Sequence, residues 1–332
     1  MPTMKLKSFN LPGILMAFTL LLAAPATSAW AAADDYPTKP VRVIIPFAPG
    51  GATDIVGRLT ATKLSERLGK QFFAENRTGA GGTIGMEVVA KSAPDGYTLL
   101  FHSTGFATAS SLYKLGYDPM KAFVPIALMG ISPVVLAVHP SVPVQTAKDL
   151  IALAKQQPGK ITNANAGVGS FTHLSSELFQ MMGGIDFMSL QFKGGSPAMT
   201  DVIGGHSKVV FGSITMTLPH VRAGKLKALG YGWTSRSKLM PDVPTIAEAG
   251  LPGYQSAIWL GLFAPAGTPP AIVDKLSREA VAITKMDDVV KVFDTQGTEA
   301  MGLGPADFLK FLEGEISKWE KVIKARNIKV EG

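Results

Sequence analysis

Cysteine is absent from the 332 residues, which excludes disulfides, thiolate metal sites, a cysteine nucleophile and a lipid-modified cysteine anchor. Charge is sparse at 17% and aromatics make up 8%, while 46% of the chain is apolar. The 35 glycines and 23 prolines form no tract, so collagen-like and low-complexity readings fall away and one or two globular domains are expected. The formal charge of +7 is spread thinly, with no Lys/Arg run interleaved with aromatics. Nucleic acid is therefore not an expected partner, whereas a mild positive potential suits small anions.

Long apolar runs are missing except at the amino end. There Lys5 and Lys7 precede a charge-free stretch from Ser8 to Ala33, with an apolar centre from Ile14 to Ala24 and Ala29-Trp30-Ala31 behind it. A basic start, a short apolar middle and small residues at an A-x-A site predict a secretory signal over 1–31. The apolar centre is too short to cross ~30 Å of hydrocarbon. No Arg-Arg pair is present, so general export is expected, and removal of Lys5 and Lys7 lowers the charge by two. The mature chain is expected to be soluble and exported.

The remainder alternates short apolar runs with helical patterns. Val41–Phe47, Thr98–Phe101, Val134–Val138, Ile161–Ala164, Ser189–Phe192, Val209–Phe211, Leu226–Leu229 and Trp259–Phe263 read as strands. Helices are expected over Thr53–Leu68, Thr146–Gln157, Ser170–Met182 and Pro197–Ile203, from Pro269, and around the stripe Phe308, Leu312, Ile316, Trp319 and Ile323. This alternation predicts an α/β fold with mainly parallel sheets. Val134–Pro140 and Trp259–Pro265 read as two strands crossing between lobes. That gives a discontinuous first lobe, 34–137 plus 262–332, and a second lobe, 138–261.

Glycine-rich strand-to-helix junctions are the candidate chemistry. Pro46–Asp54 carries Phe47, Gly50, Gly51, Ala52 and Asp54. Its glycines allow a ligand near the backbone N–H groups, and the helix behind offers unpaired donors and the positive dipole end. An anion site and an ordinary loop capped by Thr53 or Asp54 both fit. Asn163–His173 places Gly169, the N-cap candidate Ser170 and His173 together; His173 fits a helix-surface or interlobe position better than a catalytic one. Phe192-Lys193-Gly194-Gly195-Ser196-Pro197 offers Ser196 as N-cap, with Lys193 solvated or paired with an anion. Ser103 and Thr104 follow a strand end, where ligands sit in open α/β sheets.

Catalytic patterns fail. Gly79–Gly85 has Ile84 where a dinucleotide loop needs its third glycine, and Gly194–Ala198 lacks the closing glycine of a nucleophile elbow. The five histidines are dispersed, so neither a metal, a cofactor nor an enzymatic activity is expected.

Several of these motifs together resemble the Bug-type periplasmic solute-binding proteins of tripartite tricarboxylate transporters. The resemblance runs from Tyr36 to the carboxyl end. It rests on Tyr36-Pro37 with Lys39-Pro40-Val41-Arg42, the Pro46–Asp54 loop, Glu75-Asn76-Arg77 with Gly79-Ala80-Gly81-Gly82, and Ala93-Pro94-Asp95-Gly96-Tyr97-Thr98-Leu99. Gly167, Gly169-Ser170 and His173-Leu174, Lys193-Gly194 with Pro197-Ala198, Leu218-Pro219-His220-Val221 with Ala223-Gly224-Lys225-Leu226, Asp242-Val243-Pro244-Thr245 and Phe263–Pro269 complete it. It implies a two-lobed, type II periplasmic-binding-protein-like fold. Such a protein closes on a di-, tri- or aromatic carboxylate and delivers it to membrane permease subunits; the alternative is a sensor component signalling to a receptor. A carrier that hinges and delivers is expected as a monomer. The loops at Phe47–Asp54 and Gly169-Ser170 would grip carboxylates, Ser103 and Thr104 would add hydroxyls, and Phe192–Gly194 would line the second lobe. The resemblance also puts Gly212, beside Ser213, and Lys208 where family members often carry aspartate. That removes a partner for an α-ammonium group and implies a ligand without one.

Overall fold

The computed structural model describes residues 35–330 and Thr3, so the expected signal segment lies outside the described residues apart from Thr3. Ten strands and eleven α-helices make up the described chain.

The first sheet has the order β2-β1-β3-β9-β4, with β10 also on β4. Its strands are β1 (Val41–Ile45), β2 (Phe72–Asn76), β3 (Thr98–His102), β4 (Phe123–Val138), β9 (Ala257–Pro265) and β10 (Glu299–Leu303). The second sheet shares β4 and adds β5 (Thr162–Asn165), β6 (Met188–Gln191), β7 (Val209–Ser213) and β8 (Lys227–Tyr231). The α/β expectation holds. The outer pairs are parallel (β1 with β2 and β3, β5 with β6 and β7), whereas every pair made by β4 or β9 is antiparallel, so each sheet is mixed.

Strand β4 belongs to both sheets. Phe123–Pro133 pairs with β9, and Val134–Val138 pairs with β7 and β8. At the hand-over the Val134 N–H donates to Ser256 O (3.1 Å), Ser256 N–H to Gly232 O (2.8 Å) and Gly232 N–H to Val134 O (2.8 Å). The two sheets therefore exchange the chain at Pro133/Val134 and Ser256/Ala257. The first half of β4 escapes the sequence pattern because it holds Pro125, Gly130 and Pro133. Register shifts absorb the breakers between Pro125 and Ala127 and between Leu128 and Gly130.

Helices α1 (Ala52–Leu68), α2 (Thr83–Ala90), α3 (Gly105–Leu112) and α4 (Pro119–Ala122) accompany the first sheet. Helix α1 buries Val56, Thr60 and Leu64 on one face and ends at Gly69, which is left-handed at φ 68°. Helices α5 (Ala147–Gln156), α6 (Phe171–Gly183), α7 (Gly195–Ile203) and α8 (Ile214–Arg222) accompany the second. The Thr146–Asp149 capping box starts α5. The helix expected at Pro197 starts two residues earlier, because Gly194 (φ 116°, ψ 169°) turns the chain in a conformation that glycine tolerates. Helix α8 contains Pro219, which hides it from a helix pattern.

Helices α9 (Pro270–Ile283), α10 (Asp287–Thr295) and α11 (Pro305–Ala325) close the chain. Helix α11 packs on α3 beside the first sheet and on α6 beside the second, with Phe308, Leu312 and Trp319 buried. One apolar cluster accordingly runs from Ile44 and Met86 through Trp259 to Leu174 and Phe211. The last helix thus bridges both lobes.

Candidate functional site

The first wall begins where β1 ends. The chain turns through Pro46–Gly51, with Gly50 left-handed at φ 89°, and enters α1. Asp54, 4% exposed, closes this turn from within the helix. Its carboxylate accepts from the Gly50 N–H (3.0 Å), Arg58 Nε (2.9 Å) and Asn76 Nδ2 (2.8 Å), and Asn76 Nδ2 also lies 2.8 Å from Phe47 O. Burial works to raise its pKa, but these donors outweigh burial and hold the carboxyl below its usual range. No side chain caps α1, since Gly51 stands at the N-cap. Its first-turn N–H groups keep the donor character and dipole that favour an anion.

The end of β3 supplies the floor. His102 is fully buried, and its Nδ1 accepts the Ser103 N–H at 2.7 Å. Burial pulls its pKa down to about 4, so it is neutral near pH 7. Ser103 and Thr104 are buried beside it, and Thr104 Oγ1 donates to Ala257 O at 3.3 Å. Gly81 admits Tyr113, because a Cβ there would lie 2.7 Å from the phenol oxygen.

The second wall is the turn from β5 into α6. The Ala166 N–H donates to Thr172 Oγ1 (2.9 Å), and the Gly169 N–H to His173 Nδ1 (3.1 Å). Ser170 Oγ accepts the His173 N–H (3.3 Å) and lies 3.1 Å from Thr172 Oγ1, so Ser170 is the N-cap as expected. His173 is 7% exposed and lies behind the turn rather than on the surface.

A cavity of about 360 Å³ lies between these walls. Phe47, Thr53, Ser103, Thr104, Thr108, Gly81 and Gly105 line it from the first lobe, and Ala166–Phe171 with Leu174 from the second. Leu112, Tyr113 and Ile258 complete it. No lining residue is charged. The chemistry on offer is hydroxyl, phenol and backbone N–H donors set among aromatic and aliphatic surfaces, in the usual size range for small ligands.

Of the residues expected from sequence, Phe47, Ser103, Thr104, Gly169 and Ser170 line this cavity. Gly50 and Gly51 lie in the first-lobe turn, Ala52 opens α1, Asp54 is directed back into that turn, and His173 supports the opposite one. Phe192 packs in a separate apolar cluster with Ala198 and Met199, Lys193 is exposed, and Gly194 caps α7. Gly212 lies inside the second lobe, where a Cβ would meet Thr217 Oγ1 at 2.6 Å, so the chain itself fills the space beside it. Ser213 caps α8, and Lys208 Nζ donates to Gly205 O at 2.8 Å. Sequence reasoning missed Tyr113, Thr108, Leu112 and Ile258, whose apolar or single-hydroxyl patterns carry no local signature. Gly81 had one, in the glycine run of 79–85. Among the described residues no group of acidic and histidine side chains could hold a metal, and no helix is long and apolar enough to cross a membrane.

Two mixed sheets exchanging strands around an interlobe cavity define the fold of the periplasmic binding proteins. A model described as the tripartite tricarboxylate transporter family receptor, TctC, matches residues 56–328, and the chain belongs to that family. Protein BugT of Bordetella pertussis is 34% identical over 97% of this chain and 100% of its own length. A solved R. palustris protein with adipate is 35% identical, with a TM-score of 0.75, covering 89% of this chain and all of that one. MatC from Rhodopseudomonas palustris with bound malate is 34% identical at TM-score 0.72, covering 87% and 100%.

Proposed function

We propose that the protein is an exported receptor that captures a small organic carboxylate lacking an amino group between its two lobes. It then delivers that ligand to membrane permease subunits without transforming it. The observation carrying this reading is the interlobe cavity, where the uncapped start of α1 meets the Gly167–Ser170 turn with no charged side chain in the lining. Helix-end donors and hydroxyls can hold a carboxylate there, whereas an ammonium group would find no acid. The aromatic and aliphatic residues around them suit an apolar body, in an aliphatic dicarboxylate or an aromatic acid. The solved relatives with adipate and malate support the carboxylate class.

A thermal-shift screen over di-, tri- and aromatic carboxylates tests this, because a ligand stabilises the folded state by RT ln(1 + [L]/Kd). At least one carboxylate without an amino group should raise Tm, and aspartate and glutamate should not. Aspartate or glutamate as the tightest ligand would overturn the reading. Deleting the gene should abolish uptake of the ligand; loss of a transcriptional response with uptake intact would assign a sensor role instead.

A further inference from the structure

We propose that Arg326 is a positioning residue for the cleft: acting across Glu177 and His173, it holds the glycine turn that forms the second-lobe wall. The proposal rests on the carboxylate-binding reading of that cleft.

Arg326 follows the end of α11, far from the turn in sequence. Its Nε donates to Glu177 Oε2 at 2.6 Å, and its Nη2 donates to Asp186 Oδ1 at 2.9 Å and to Gln180 Oε1 at 3.3 Å. Glu177 is 6% exposed, and its other oxygen lies 3.0 Å from Gln180 Nε2, 3.3 Å from Ser189 Oγ and 3.5 Å from His173 Nε2. His173 Nδ1 accepts the Gly169 N–H. That acceptor role fixes the neutral ring with its proton on Nε2, facing Glu177. The chain end reaches the same turn by a second route. At Gly169, left-handed at φ 73°, a Cβ would lie 2.9 Å from Val330 Cγ1.

The charges explain why Arg326 matters to the turn. Among the described residues, the charged side chains against this ring and its partner are Glu177 on α6, Arg326 beyond α11 and, through Arg326, Asp186. With Arg326 in place the Glu177 carboxylate already has a cationic partner. Without it, the cation left to this buried carboxylate among the described residues is the imidazolium of His173. An imidazolium carries a hydrogen on Nδ1 as well, so it cannot accept the Gly169 N–H. The turn then loses the bond that shapes the cleft wall.

The test uses the full mature chain and its variants Arg326→Met, Arg326→Gln and Arg326→Lys. Ligand-free 15N NMR reads the His173 ring and the Gly169 amide, and calorimetry reads adipate affinity. Arg326→Met should move the His173 signals toward the doubly protonated pattern at a pH where wild type shows the Nε2–H form. It should also shift the Gly169 amide and weaken adipate about tenfold. Arg326→Lys should restore most of both, and Arg326→Gln replaces Arg326→Met if the latter does not fold. Unchanged ring and amide signals would overturn the proposal whatever happens to affinity, and so would altered signals with affinity within twofold of wild type. Failure of wild type to bind any carboxylate would instead count against the cleft reading, and the NMR arm would still decide whether Arg326 holds the turn.

Discussion

The two turns that face each other across the cavity share one plan, glycines between a strand and a helix start, yet they are held by opposite means. The first-lobe turn is organised locally. Asp54 reaches back from the first turn of α1 to Gly50, and Asn76 on the neighbouring strand ties it to Phe47 O. The second-lobe turn uses its own hydroxyls and a histidine, and that histidine depends on Glu177 and the distant Arg326. Their helix ends differ as well. Helix α1 has Gly51 at its N-cap and no side-chain cap, whereas α6 is capped by Ser170. A capped helix start has already satisfied one of its free donors, so on the proposed carboxylate-binding reading the stronger anion grip should lie in the first lobe.

Gly51→Val breaks that comparison most severely. Gly51 has ordinary extended angles (φ −80°, ψ 163°), and an added Cβ would find only Ala48 O at 4.0 Å, so the fold should tolerate it. A branched side chain over the uncapped helix start keeps a ligand from the N–H groups. Loss of two charge-assisted hydrogen bonds, each worth about 1.5–3 kcal/mol, means more than a roughly hundredfold fall in affinity by calorimetry. An unchanged Tm with unchanged binding would move the anion grip away from α1.

Glu177→Gln sharpens the contrast through pH. Burial raises the Glu177 pKa, but the hydrogen bonds from His173 and Arg326 and the Arg326 charge prevail and hold the carboxyl at about 2 rather than its reference 4.5. A depressed folded-state pKa contributes stability that is complete above about 4.5 and is lost as pH falls toward about 2. At about 1.4 kcal/mol per pKa unit the contribution is on the order of 3 kcal/mol. Urea unfolding should therefore show wild type losing more stability than Glu177→Gln between pH 5 and pH 2. Parallel losses would mean that the carboxylate is not held charged by its partners.

Asp54→Asn should act more weakly and closer to home. It removes the charge from hydrogen bonds worth about 1.5–3 kcal/mol each without removing every bond, so a loss of about 2 kcal/mol is expected in urea unfolding at pH 7. The Asp54 pKa is lowered from 3.8, so the gap to wild type should be full above that value and close as pH falls below it. A gap that persists at low pH would assign Asp54 a role independent of its charge.

The asymmetry of the turns also sets what the sequence could reveal. The Pro46–Asp54 and Asn163–His173 junctions are legible because glycine and hydroxyl residues cluster at strand ends, and both line or support the cavity. Helix stripes on α9 and α11 are equally plain. What stayed hidden depends on contacts distant in sequence. The direction of the Asp54 carboxylate needs Asn76, the burial of His173 needs Glu177 and α11, and Gly212 needs Thr217 folded against it. Tyr113 and Ile258 reach the cavity only because α3 and β9 meet there. The breakers in β4 concealed the first half of the strand that both sheets share.

Ser170→Ala is the finest probe of the difference between the two helix starts. Ser170 Oγ accepts the His173 N–H and contacts Thr172, so its removal costs the cap, about 1 kcal/mol of stability. Ser170 also lines the cavity, and its hydroxyl can meet a ligand there only by weakening its service to the helix. A hydroxyl already engaged contributes little net free energy to a second partner, so affinity should fall only about three- to fivefold, far less than with Gly51→Val. Calorimetry on Ser170→Ala beside Gly51→Val reads this ratio directly. If Ser170→Ala proved the more damaging, the second lobe would hold the carboxylate, and the uncapped start of α1 would be left to shape the cavity rather than to bind charge.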